Sequence, residues 1–239
     1  MPRLSILIPA YNEERLLAAT LASVRSSIAA LELADAEVIV CDNNSTDATA
    51  RVALECGARV VFEPHNQIAR ARNRAAAGAS GEWLLFLDAD TQLSPGLLHA
   101  MLGTVAGGAV CGGGALVQFD APVAGLARAG LRAWNAISMR FGVAAGCFVF
   151  CRRAAWEATG GFDERRYAGE ELSFSARVQR WGREHGERFV ILPRPPVISS
   201  ARKLQMYGPW RILLHTLPLA LPGALRSRRL CRFWYERPA

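Results

Sequence analysis

Two carboxylates two positions apart, Asp88 and Asp90, flank Ala89 directly after the apolar run Trp83 to Leu87. At the end of a strand such a pair leaves the sheet together, and its hard oxygen ligands suit Mg²⁺ or Mn²⁺ bridging phosphate oxygens. A cation there would neutralise charge developing on a departing diphosphate. The same residues also read as two exposed acids in a turn before Thr91, and Asp-x-Asp spacing alone does not separate the two readings. Other polar clusters stand nearby in the pattern. Pro9-Ala10-Tyr11-Asn12-Glu13 and Asp42-Asn43-Asn44-Ser45-Thr46-Asp47 each follow an apolar run, and Glu170-Glu171 opens a helical stretch whose dipole favours acids in its first turn. Ser45 or Thr46 is suited to cap the helix that follows.

The elements that must position these residues alternate. Leu4 to Ile8 reads as a strand, Leu16 to Leu31 as a helix, Ala36 to Cys41 as a strand and the stretch to Cys56 as a helix. Arg59 to Phe62, Ile68 to Ala77 and Trp83 to Leu87 repeat the strand, helix, strand order. This alternation predicts an α/β fold with a mostly parallel central sheet and helices on both faces, in which ligands collect beyond the carboxyl ends of the strands. Three polar loops then converge on one rim. Further on, the sequence predicts a helix over 95–105, a glycine-rich strand over 109–119, a helix over 123–141, a strand over 143–151 and helices over 153–159 and 169–181. Gly112-Gly113-Gly114 lacks the Gly-Lys-Ser/Thr of a phosphate loop and reads as a bend or a close backbone approach.

A length of 239 residues with 51% hydrophobic composition accommodates one large domain over 1–239: a binding half over 1–105, a second half over 106–200 and a tail over 201–239. Six scattered cysteines without a CxxC pair imply reduced core thiols rather than a zinc site or a disulfide framework. The N-terminus lacks a signal-peptide pattern, so a cytoplasmic location is expected. The net charge of +7 is carried by arginine, with Lys203 the sole lysine. Residues 194–239 hold nine Arg or Lys against Glu236 alone, mixed with aromatics, which suits phosphates or an anionic membrane surface. Within that tail Trp210 to Leu225 is broken by Pro218 and Pro222 and reads as interfacial rather than spanning, making the protein peripheral on the inner face of a membrane.

Taken in order, Leu4 to Glu13, Val38 to Asp47, Ala71-Arg72-Asn73 and Leu85 to Asp90 resemble the motifs of glycosyltransferase family 2, and Gly160-Gly161-Phe162-Asp163-Glu164 with Glu170-Glu171-Leu172 extends the similarity. The resemblance implies the GT-A fold, a Rossmann-like three-layer sandwich, and an inverting, hexosyltransferase-type sugar transfer from a nucleotide-diphosphate sugar (UDP-, GDP- or TDP-linked). It implies that Pro9, Ala10, Tyr11, Asn12 and Glu13 wall the nucleotide, that Asp42 and Asn44 meet the base or ribose, and that Arg72 lies near the nucleotide. Asp88 and Ala89 would meet the ribose, Asp90 with Asp88 the Mn²⁺ or Mg²⁺, and Arg202 and Lys203 the diphosphate. The residue types agree: Asp42 accepts hydrogen bonds, Tyr11 offers a stacking ring and Arg72 a positive charge. Glu170-Glu171 would supply the general base; relatives that transfer to a hydroxyl usually carry Glu-Asp here, so Glu171 is one methylene longer. A histidine that several relatives place on a late loop is missing from Val197 to Lys203.

The acceptor is a sugar, a lipid-linked molecule or a polyprenyl phosphate, the last being already anionic and needing no strong base. Two other classes compete. A nucleotidyltransferase shares an α/β sheet and an acidic metal site but usually carries a glycine-rich, lysine-bearing first loop, which Pro9 to Glu13 does not resemble. A non-catalytic module binding nucleic acid or membrane through its arginines would bind in a salt-sensitive way without turnover; nucleic acid is not expected as a partner of the transferase.

Overall fold

The computed structural model describes residues 3–123, 125–202, 204–206, 223–231 and 235. Strand β1 (Leu4–Ala10) is buried along its whole length, and its alternate residues serve opposite faces of the sheet. Leu4, Ile6 and Ile8 enter one core cluster and Leu7 the other. After it come α1 (Leu17–Ala30), β2 (Glu37–Asp42), α2 (Thr49–Glu55), β3 (Arg59–Phe62), α3 (Ile68–Ala77), β4 (Trp83–Leu87), the two-residue β5 (Thr91–Gln92) and α4 (Pro95–Ala106). The second half comprises β6 (Val110–Phe119), α5 (Gly125–Phe141), β7 (Phe148–Arg152), α6 (Arg153–Thr159), α7 (Glu170–Glu184) and β8 (Arg188–Ser199), and a 3₁₀ turn follows at Ala224–Arg226.

The strands form one sheet in the order β3-β2-β1-β4-β7-β6-β8-β5. Strands β3, β2, β1 and β4 run parallel, as does the pair β6 and β8, while β7 runs against both β4 and β6. Residues of α1, α2 and α4 fill one face of the sheet and residues of α3, α6 and α7 the other. The expected α/β sandwich is therefore present. Among the described residues no helix is long and apolar enough to cross a membrane.

Three details depart from the sequence reading. Strand β7 begins only at Phe148, because 143–147 turns under the cleft rather than pairing. Strand β8 has no counterpart in the sequence reading, since Pro193, Pro195 and Pro196 interrupt its apolar pattern. The structure accommodates them at an irregularity: pairing with β6 jumps from Ala115 with Leu192 to Val117 with Val197, so the prolines fall where ladder bonds are already lost. Thirdly, α2 is not capped by Ser45 or Thr46. Asp47 Oδ1 accepts from the Thr49 N–H at 2.9 Å, and both hydroxyl residues are used elsewhere.

The glycine run is a close approach between strands. A Cβ on Gly112 would lie 2.6 Å from the Phe150 carbonyl oxygen, and one on Gly114 2.6 Å from the Ala144 Cβ. Larger residues would push β6 away from β7 and open the sheet beneath the cleft.

Candidate active site

The loops after β1, β2 and β4 meet at one edge of the sheet, and side chains lock the first two together. The Asn12 N–H donates to Ser45 Oγ at 3.0 Å, and the Thr46 N–H donates to Asn12 Oδ1 at 2.8 Å. The Glu13 N–H donates to Thr49 Oγ1 at 2.8 Å. Asn12 sits at φ 50°, a left-handed position that asparagine tolerates. Asn43 fixes a third segment: its Oδ1 accepts from the Gln67 N–H at 2.8 Å and its Nδ2 donates to the His65 carbonyl at 2.6 Å.

A small cleft of about 170 Å³ opens among these loops, lined by Pro9, Ala10, Tyr11, Glu13, Asp88, Ala89 and Asp90. Those expected residues are brought together. Asp42 is outside the lining of this cleft: it is 7% exposed, and its Oδ1 accepts from the Ser45 N–H at 3.0 Å within its own loop. Asn44 is exposed outside the lining, and its neighbour Asn43 faces the cleft. Lys203 lies outside the described residues, as do residues 207–222, which include most of the apolar, arginine-flanked segment.

Arg72 is the hub. Only 1% of its side chain is exposed; one Nη donates to Asp88 Oδ1 at 3.0 Å and to the Gly146 carbonyl at 2.9 Å, and the other to Glu170 Oε1 at 2.5 Å. Its guanidinium also lies 5.2 Å from the centre of the Phe162 ring. The ion pairs and the ring together hold an arginine whose positive charge is reinforced despite its burial. It joins the acidic strand end to the first turn of α7.

That turn is aimed by packing set in the glycine-rich motif. Gly161 has φ 67°, and a Cβ on it would sit 2.7 Å from Trp156 Nε1. Asn73 clamps the next residue, accepting from the Phe162 N–H at 2.8 Å and donating to its carbonyl at 2.9 Å. The Phe162 ring then stacks on Phe174 of α7 at 4.2 Å and meets Phe86 of β4 edge-on at 4.9 Å. Glu170 and Glu171 are thereby fixed relative to β4. Burial and the neighbouring Glu170 charge push the Glu171 carboxyl up to about 8, against the downward pull of Arg72. A carboxyl so placed ionises close to the working pH rather than far below it, the condition for a base that must take and release a proton.

On the other side of the cleft, Arg202 donates to both oxygens of Glu13, at 3.1 and 2.9 Å, and lies 3.5 Å from Asp90 Oδ2. It reaches this place because β8 ends at Ser199 and Asp120 Oδ1 holds the Ala201 N–H at 2.8 Å. Tyr235 was not foreseen. It lines the cleft, and its hydroxyl donates to the Tyr167 carbonyl at 3.0 Å; the aromatic character of the basic tail was its one signal. Asn66 and Ile68 also line the cleft and carried no signal beyond their place after a strand.

Asp88 and Asp90 bring two carboxylates to the cleft, and both face arginine: Asp88 faces Arg72 and Asp90 faces Arg202. Among the described residues no group of three His, Cys, Asp or Glu converges. The oxygen chemistry fits Mg²⁺ or Mn²⁺ with water and ligand oxygens completing the shell. A second cavity of about 750 Å³ adjoins the cleft, sharing Ile68 and Asp88 with it, and Arg72, Glu170 and Glu171 are among its lining residues.

Comparison with known proteins agrees with this arrangement. The sequence profile described as "Glycosyl transferase family 2" matches residues 5–158. Validoxylamine A glucosyltransferase of Streptomyces hygroscopicus subsp. jinggangensis is 37% identical over 113 residues, covering 45% of this chain and 26% of that protein. The chain spans less than half the length of the curated relatives it matches. A mannosyltransferase from Pyrobaculum calidifontis, solved with GDP-Man and Mn²⁺, superposes with a TM-score of 0.66 over all of this chain and 66% of its own, at 20% identity. Glucosyl-3-phosphoglycerate synthase from Mycobacterium tuberculosis, solved with Mn²⁺, UDP and glucosyl-3-phosphoglycerate, gives 0.62 over 90% and 78% of the two chains at 24% identity. Both are GT-A glycosyltransferases, and the likeness establishes the fold. With well over half of its length matching the family profile and its motifs gathered on one rim of a GT-A sheet, this chain belongs to glycosyl transferase family 2.

Proposed function

We propose that this chain transfers a hexose from a nucleotide-diphosphate sugar to an acceptor hydroxyl, with inversion. The observation that carries the reading is the junction at Arg72, which ties Asp88 at the acidic strand end to the buried Glu170, with Glu171 beside it. The family and the UDP, GDP-Man and Mn²⁺ of the solved relatives support the donor class.

In this reading the nucleotide lies against Pro9 to Tyr11 with Asn43 and Tyr235 beside it, and Arg202 stands by for the diphosphate. The acceptor oxygen attacks the anomeric carbon, its proton passes to the Glu171 carboxylate, and the carbon–oxygen bond to the diphosphate breaks with its electron pair leaving on the nucleotide. One displacement inverts the centre. Asp90 and Asp88 would hold a divalent cation, Mn²⁺ or Mg²⁺, whose positive charge would stabilise the departing diphosphate. Six free cysteines, five of them buried, are compatible with work in the reducing cytoplasm.

Asp90→Asn tests the metal assignment. It is expected to remove the Mn²⁺-dependent part of nucleotide-sugar binding. Titration of the donor with and without Mn²⁺ measures it; a Mn²⁺ effect that survives intact removes Asp90 from the site.

A further inference from the structure

The cavity beside the cleft is lined far more by carbon than its neighbour. Val117, Phe119, Leu126, Leu131, Trp134 and Leu204 form its walls, and the ionisable groups Asp88, Arg72, Glu170 and Glu171 stand together at one end. Its volume of about 750 Å³ lies within the range of sites that enclose most of a small ligand. A simple sugar acceptor would leave those apolar walls wet.

The wall formed by α5 is unusual in a second way. Of its 17 residues only Ser138 is fully buried. Leu126, Gly130, Ile137 and Phe141 fall at i, i+4, i+11 and i+15, on one side of the helix, and the three leucine, isoleucine and phenylalanine side chains are 43–61% exposed. Leu126 and Gly130 of that stripe also line the cavity, so the exposed stripe and the cavity are continuous. The helix carries Arg128, Arg132 and Arg140, all exposed, and no acid. An apolar stripe on a helix whose charged residues are all cationic complements an anionic bilayer surface.

Resting on the donor reading above, we propose that the acceptor is a membrane lipid with a hydroxyl head: α5 lies on the anionic bilayer, the chain enters along Leu126 and Gly130, and the hydroxyl reaches Glu171. Charge supports a neutral nucleophile, because three carboxylates surround its place and Arg72 is already committed to two of them. The exposed stripe covers the step between bilayer and cavity.

Alkyl β-glucosides of increasing chain length, each below its micelle threshold, probe the cavity by calorimetry. Affinity is expected to rise about fourfold per added methylene, with methyl glucoside showing no binding. Gly130→Trp should weaken the longest chain at least tenfold. A Cβ at Gly130 meets nothing within 4 Å, and replacing glycine inside a helix favours folding, so its unfolding midpoint stays at or above wild type. Flotation with vesicles of phosphatidylcholine, alone or mixed equally with phosphatidylglycerol, probes α5: binding is expected to the mixture only and to be lost in Ile137→Asp/Phe141→Asp. Affinity independent of chain length, or a Gly130→Trp protein that binds as wild type does, overturns the cavity assignment; equal flotation with both vesicle types, or with the double variant, overturns the role of α5. Nucleotide-sugar binding is measured on the same samples. Its absence alongside chain-dependent binding would remove the donor reading and leave the lipid cavity standing.

Discussion

Replacing Arg72 by alanine is expected to cost about 3–5 kcal/mol of stability, the range for removing one partner of a buried charge network. The loss is large because the side chain is 1% exposed and satisfies Asp88, Glu170 and the Gly146 carbonyl at once. Without it, carboxylates from β4 and α7 face each other with no cation between them, and Phe162 loses its cationic neighbour. Arg72→Lys should recover part of the loss, since an ammonium restores the charge but not the fork that reaches three groups. Thermal or denaturant unfolding measures it. At about 2–4 °C per kcal/mol for a chain of this size, the alanine variant should melt roughly 6–20 °C below wild type. A variant that melts with wild type would show that α7 is held to β4 by the Phe86, Phe162 and Phe174 rings alone.

Glu171→Gln has the largest expected effect on turnover, about 10²- to 10⁴-fold, the usual contribution of a positioned general base. Its pH signature is specific. Because the Glu171 carboxyl is held up to about 8, wild-type activity should rise with pH through the neutral range as the base ionises, and this limb should vanish in the glutamine variant. Stability should move the other way. The folded state holds the Glu171 proton more tightly than the unfolded chain does, so wild type loses stability as pH rises from the ordinary carboxylate range to about 8. Glu171→Gln carries no such proton and should be the more stable protein above that window. A variant less active but more stable at high pH distinguishes a base from a structural acid. If the acceptor were an anionic phosphate, turnover would only weaken and the acid limb would remain.

Most of this was legible from the sequence because local pattern and tertiary role coincide in the first hundred residues. Strands β1, β2 and β4 are apolar runs ending in polar loops, and parallel α/β architecture places such loops on one rim. The second half is less legible for physical reasons. In β8 three prolines disguise a strand, because the irregular pairing that tolerates them is a property of the sheet. Asp42 shows a related limit: that its Oδ1 accepts from the Ser45 N–H is a fact of geometry that residue type and spacing do not encode. The partnership of Arg72 with Asp88 and Glu170 spans 16 and 98 residues, a separation no short motif encodes. Tyr235 lines the cleft with Pro9 and Asp88, more than 140 residues away in sequence, which no short motif encodes either.

The central claim is that the cleft formed by Pro9 to Tyr11, Asp88 and Asp90 binds a nucleotide sugar. Thermal-shift measurements with UDP-, GDP- and TDP-sugars, with and without Mn²⁺, test it most directly, because a ligand that binds only the folded state raises its melting point. At a hundredfold excess over its dissociation constant one donor should stabilise the protein by about 2.7 kcal/mol, or roughly 5–11 °C, in the presence of Mn²⁺. Absence of any shift with all three donor classes, together with no release of nucleotide diphosphate, would contradict the account.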